Sequence, residues 1–159
     1  MKKRRSLGLI DIPERTIEYD MVLLERYTDF SAELLRLGLI GISAIGFAVS
    51  KALLPSEGGH IAVELLDKVR FETGLALIAF GLCVAAALSH RYFAADSMSW
   101  HLQAMRRYQR GEEGDAEVAD AEFKSRYRRF KWSEYAIRTA TVALGLGAVS
   151  TAVAILRAF

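Results

Sequence analysis

Cysteine and proline are almost missing from this chain of 159 residues, which has one of the first, Cys83, and two of the second, Pro13 and Pro55. A single thiol excludes a disulfide within the chain and any multi-cysteine metal site. The scarcity of proline leaves long stretches in which nothing interrupts a helix. A strong charge of either sign is also missing: 21 Lys and Arg face 19 Asp and Glu, for a net charge of +2. The chain as a whole therefore carries no basic footprint for a nucleic acid. With 52% hydrophobic and 25% charged residues it is too apolar for intrinsic disorder. A mean hydropathy of +0.18 in a chain that is one quarter charged requires the charges and the apolar residues to be segregated along the sequence.

Charge is absent from three runs, Leu37–Ser50, Thr73–Ser89 and Thr139–Leu156. A bilayer core about 30 Å thick takes roughly 20 apolar residues of helix, so the second and third runs reach across it, and the first does with its flanks. None of the three keeps the polar face, with its period near 3.6 residues, that a helix of a soluble bundle shows. The basic residues Lys2, Lys3, Arg4 and Arg5 are followed by only a short apolar stretch before Asp11, too short for a cleaved leader. The expected fold is all-α, a polytopic membrane protein with transmembrane helices at 35–54, 71–90 and 137–158.

The basic residues fall unevenly about these spans. Seventeen lie in 1–36 and 91–138, and four, Lys51, Lys68, Arg70 and Arg157, lie on the other side. The excess predicts that the N-terminus and the 91–136 segment are cytoplasmic and that the C-terminus is outside, as in a bacterial inner membrane.

The charged segments between the spans also have helical patterning. After a basic tail at 1–12, Pro13 suits a first helical turn, and Ile17, Met21, Leu24 and Thr28 recur at helical spacing through an arm at 13–34. From Arg91 to Arg110 there is neither glycine nor proline; Gly111 and Gly114 then bracket two glutamates, a turn signal before Asp115. The helix is expected to resume with Ala119, Phe123, Tyr127 and Phe130. The arms, each roughly 30 Å long at about 20 residues, predict a three-helix cytoplasmic bundle in which 91–136 forms an antiparallel hairpin closed at 111–115. On the far side, Pro55 to Gly59 breaks the first helix, and Ile61, Leu65, Leu66 and Val69 make a short amphipathic helix in the 55–70 loop, either interfacial or continuous with the second span.

No constellation for chemistry emerges. His60 falls in the outer loop, and His90 and His101 are eleven residues apart on one helix, with no metal-ligand spacing. No phosphate loop, nucleophile elbow or paired catalytic carboxylate occurs, and Gly145-Leu146-Gly147 lies within a span with no strand before it. No catalytic residue, cofactor or metal is expected, and Cys83 is expected to behave as a small apolar residue. Three sets of residues stand out instead. Glu33, Arg36, His90, Arg91, Glu134 and Arg138 form a candidate charged rim, in which a pair such as Arg36 with Glu134 would set helix register. Arg126, Arg128, Arg129, Lys131 and Trp132 are candidate anchors at anionic headgroups. Gly81 with Ala85, and Ala143 with Gly147 and Thr151, recur every four residues as candidate helix-packing positions. The expected partners are the lipid bilayer and either a second copy or another membrane protein, with no nucleic acid. The expected function is a non-enzymatic scaffold or interaction module acting through the cytoplasmic arms; the alternative is an oligomeric pore gated by the cytoplasmic bundle.

Overall fold

The computed structural model describes residues 14–53, 64, 67–110 and 115–158. The basic tail at 1–12, the Pro55–Gly59 break, His60, residues Ile61, Leu65 and Leu66 of the outer loop, and the glycine-bracketed turn at 111–114 lie outside the described residues. The described residues contain three long helices and no strand: α1 (Glu14–Leu53, 40 residues), α2 (Arg70–Arg110, 41 residues) and α3 (Asp115–Ala158, 44 residues). Each contains a stretch long and apolar enough to cross a membrane, in Leu24–Lys51, Arg70–His101 and Glu117–Ala158.

Local chemistry explains the lengths. None of the three described helices contains a proline; in sequence, Pro13 directly precedes the first residue of α1 and Gly114 that of α3. At the start of α2 the Thr73 N–H donates to the Val69 carbonyl at 2.9 Å, so helical bonding already begins at Val69. Glu72 stands in the first turn of α2 and Arg157 in the last turn of α3, each with the charge that its helix end favours.

The chain divides into two compact units. One, here the apolar unit, comprises Ser31–His90 and Tyr135–Phe159; the other, the arm unit, comprises Met1–Phe30 and Arg91–Glu134. In the apolar unit α2 is the helix that meets both others. Of its most apolar window 39% is buried, against 17% for α1 and 22% for α3. One cluster joins Leu34, Cys83, Ala86, Ala87, Ile137, Ala140 and Ala143, and a second joins Ile45, Ala76 and Phe80.

The buried positions follow a seven-residue repeat. The apolar unit buries Val69, just before α2, and Ala76, Cys83 and His90 on α2; on α3 it buries Ala140, Gly147 and Ala154, with Ala143 and Ser150 between them. On α1, Ser31, Gly38 and Ile45 keep the same spacing. A repeat of seven, two helical turns at 3.5 residues per turn, is the signature of helices packed along a straight seam. Small side chains on that seam let the backbones approach closely, the contact that holds helices together in lipid.

Phe80 is the side chain that both other helices make room for. A Cβ built on Gly41 of α1 would come within 2.7 Å of its ring, and one on Gly147 of α3 within 2.8 Å. Both glycines leave the space that the ring fills. Gly38 is nearly as tight, at 3.0 Å from Val84 Cγ2.

Candidate functional site

The arm unit repeats the small-residue seam in a charged segment. Ala94, Ser97, His101 and Ala104 of α2 are buried, as are Ala119, Glu122 and Ser133 of α3. Two ion pairs close this seam. Arg107 Nε donates to Glu122 Oε1 at 2.8 Å, and the Glu122 side chain is only 7% exposed. Arg129 Nη1 lies 2.9 Å from Asp96 Oδ2. The His101 ring packs against Phe123 with centroids 5.8 Å apart. Asp96 lies early and Arg107 late in the α2 segment, and their partners Arg129 and Glu122 come in the opposite order on α3. Within this unit α2 and α3 therefore run antiparallel.

The seam takes small and polar residues, and several bulky apolar ones lie outside it, while Phe93, Trp100 and Phe123 are half-buried. Val22, Tyr27, Phe30, Val118, Tyr127 and Phe130 are all exposed. A water-exposed helix ordinarily turns such residues inward. Here the buried line is taken by small and polar residues instead.

In the apolar unit an ion pair joins α2 to α3. Arg157 Nη1, on the last turn of α3, donates to Glu72 Oε1, on the first turn of α2. The carboxylate is buried while the guanidinium side chain is 63% exposed. Glu72 is thus a buried acceptor that holds an exposed cation in place. Cys83 is fully buried, and its thiol donates to the Leu34 carbonyl at 3.5 Å, so it serves as a small packing residue with a weak bond to α1.

The sequence candidates distribute as follows. Among the rim residues of the apolar unit, Glu33 and Arg36 are exposed and lie 4.0 Å apart on one helix face, and Arg138 is exposed. His90, a rim candidate, is buried at 3% exposure, because it falls on the every-seventh line with Cys83 and Ala76. Arg91 and Glu134, in the arm unit, are exposed. Of the anchor candidates, Arg128, Lys131 and Trp132 are exposed, and Lys131 Nζ stands 4.9 Å over the Tyr127 ring. Arg126 is half-buried, and Arg129 is committed to Asp96.

The packing candidates also separate. Ala143 and Gly147 are buried on the seam, whereas the Thr151 hydroxyl donates back to the Gly147 carbonyl of its own helix at 2.8 Å. A Cβ on Gly81 would meet nothing within 4 Å and Ala85 is exposed, so that pair makes no close contact within the described chain. Of the two stripes, the one through Ala143 and Gly147 joins the buried line, which repeats every seven residues.

The inter-helix ion pairs Asp96–Arg129, Arg107–Glu122 and Glu72–Arg157 were not anticipated from sequence. Their signal was present: each charged residue sits on, or one step from, the repeat of small buried residues, where a lone charge requires a partner. Among the described residues no group of three or more His, Cys, Asp or Glu is placed to hold a metal ion. Neither a family of known proteins, nor a curated protein, nor a solved structure matches this chain.

Proposed function

We propose that this chain is a three-span membrane protein that acts as a non-enzymatic scaffold, offering its helical arms to another protein on the cytoplasmic side. The membrane assignment rests on three helices long and apolar enough to cross a bilayer. The side assignment rests on the seventeen basic residues of 1–36 and 91–138 against four elsewhere. In this reading the N-terminus is cytoplasmic, the C-terminus is outside, and the membrane is a bacterial inner membrane.

One observation carries the interaction role: the fully buried residues described in the arm unit are small or polar, and several bulky apolar ones are exposed. Val22, Tyr27 and Phe30 on α1 and Val118, Tyr127 and Phe130 on α3 stand outward in a segment otherwise rich in charge. Exposed apolar side chains rimmed by polar ones mark surfaces that another molecule covers, and aromatic residues with arginine are the types enriched at such contacts. The charged residues of the seam hold the two helices together, which accounts for them without a passage for ions.

A photoreactive phenylalanine analogue at Val22, Tyr27 or Tyr127, irradiated in native membranes, tests the reading. Crosslinks to a second polypeptide from these positions, with none from exposed Glu117, support a scaffold. The absence of protein adducts at all three would overturn it. Ion flux in liposomes holding the purified protein addresses the pore reading directly: conductance above that of empty liposomes would replace the scaffold with a channel.

A further inference from the structure

The start of α2 and the end of α3 frame an open groove of about 730 Å³ in the apolar unit. Its lining is divided by chemistry. One rim carries Lys68, Arg70 and Arg157 with Asp67 and Glu72, and the wall beyond is Phe71, Leu75 and Ile78. The wall is strongly exposed, at 77% for Phe71 and 71% for Ile78.

We propose that this groove is a phospholipid site, in which Arg70 and Arg157 bind the phosphodiester and the Phe71–Ile78 face takes the first part of an acyl chain. The inference deepens the membrane reading above and rests on it. Four observations support it. First, the polar rim stands next to the run Thr73–Ser89, which has no charge, so it lies at the depth where a span meets the phosphate layer. Second, Glu72 is nine-tenths buried and takes one N–H of Arg157, while the guanidinium side chain remains 63% exposed. A guanidinium has five donors in a planar fork, so the remaining ones are available to the paired oxygens of a phosphate. Third, Arg70 is exposed and pairs with no described acidic residue, and it is the first residue of α2, whose positive helix end adds to the attraction for an anion. Fourth, Lys68 stands 3.9 Å from Glu64 and Arg157 is held by Glu72, which leaves Arg70 as the basic side chain of the rim that no described carboxylate pairs with. Glu72 acts here as a positioning residue: it holds Arg157 against the start of α2, and the guanidinium makes the contact.

The test uses the full chain reconstituted in nanodiscs containing a trace of phosphatidylglycerol with a diazirine near the glycerol end of one acyl chain. A galactolipid with the same chains and diazirine but no phosphate is the comparison. Expected is labelling of the peptide that holds Phe71, Leu75 and Ile78 by the phospholipid, reduced about fivefold by Arg70→Gln, the factor for ~1 kcal/mol per basic residue at a headgroup. Arg157→Gln is expected to reduce it similarly, and Lys124→Gln, at an exposed residue of the arm unit, not at all. Glycerol phosphate added in solution does not compete if the acyl chain is part of recognition. Equal labelling by the galactolipid, or labelling unchanged in Arg70→Gln, would mean annular lipid only and would overturn the site. Arg70 bonds to no described side chain, so its variant keeps the test valid even if Arg157→Gln fails to fold. Failure of the protein to float with liposomes would instead overturn the membrane reading, a separate result.

Discussion

The ring of Phe80 on α2 occupies the space that a side chain at Gly147 on α3 would need: a Cβ there would stand 2.8 Å from ring atoms Cδ1 and Cε1. Gly41 of α1 meets the opposite edge of the same ring at 2.7 Å. Phe80 is held from two sides, so it cannot move away from one glycine without meeting the other.

Gly147→Ala and Gly41→Ala are therefore expected to destabilise the detergent-solubilised protein by roughly 1–3 kcal/mol each, the usual cost of overpacking. Gly46→Ala and Gly145→Ala face open space and are expected to be neutral or to add up to about 1 kcal/mol through helix propensity. Thermal unfolding followed by circular dichroism separates the two pairs. A Gly147→Ala protein that melts with the parent would mean the ring is not confined.

In the arm unit the seam depends on a buried carboxylate. Arg107→Ala leaves Glu122, with 7% of its side chain exposed, without its partner, and is expected to cost roughly 1–3 kcal/mol. The lower half of that range is favoured because Arg107 is itself 37% exposed and solvent shares the pair. Exchanging the charges, Arg107→Glu with Glu122→Arg, is expected to recover part of the loss. If the exchange is worse than either single change, the pair is not what joins the helices there.

Cys83 is fully buried against Leu34. It is expected to resist a small maleimide in the folded state and to react fully once denatured, as intact-mass measurement of the adduct shows. Oxidative crosslinking through Cys83 is consequently expected to give no dimer whatever the oligomeric state. Rapid modification in folded protein would place this thiol on a surface, contrary to the core described here.

The side assignment is read by single cysteines introduced into a Cys83→Ala background. Lys68→Cys is expected to react with an impermeant maleimide on intact cells, and Ser99→Cys only after permeabilisation; both positions are exposed. The reverse pattern would invert the protein and, with it, the side from which a partner reaches the arms.

Much of the architecture was legible in the sequence because it depends on local chemistry. Three charge-free runs, and prolines confined to positions 13 and 55, are sufficient for long apolar helices, since every backbone group in such a helix is satisfied within the segment. His90 shows where local reading stops. Its neighbours Arg91 and Tyr92 are exposed while it is buried, because burial depends on which face meets another helix.

The sequence by itself determined that this chain is helical and that it alternates between charged and apolar segments, properties that follow from composition along a single helix. Only the tertiary structure decided the seam: which of several small-residue stripes would pack, that the repeat is seven rather than four, that Phe80 would fill the space over Gly41 and Gly147, and that Glu72 would take Arg157. Those are contacts between residues far apart in the chain, 85 positions in the last case. No local pattern encodes a partner at that distance; the close approach of the backbones selects it, by admitting small side chains and requiring each buried charge to find its opposite.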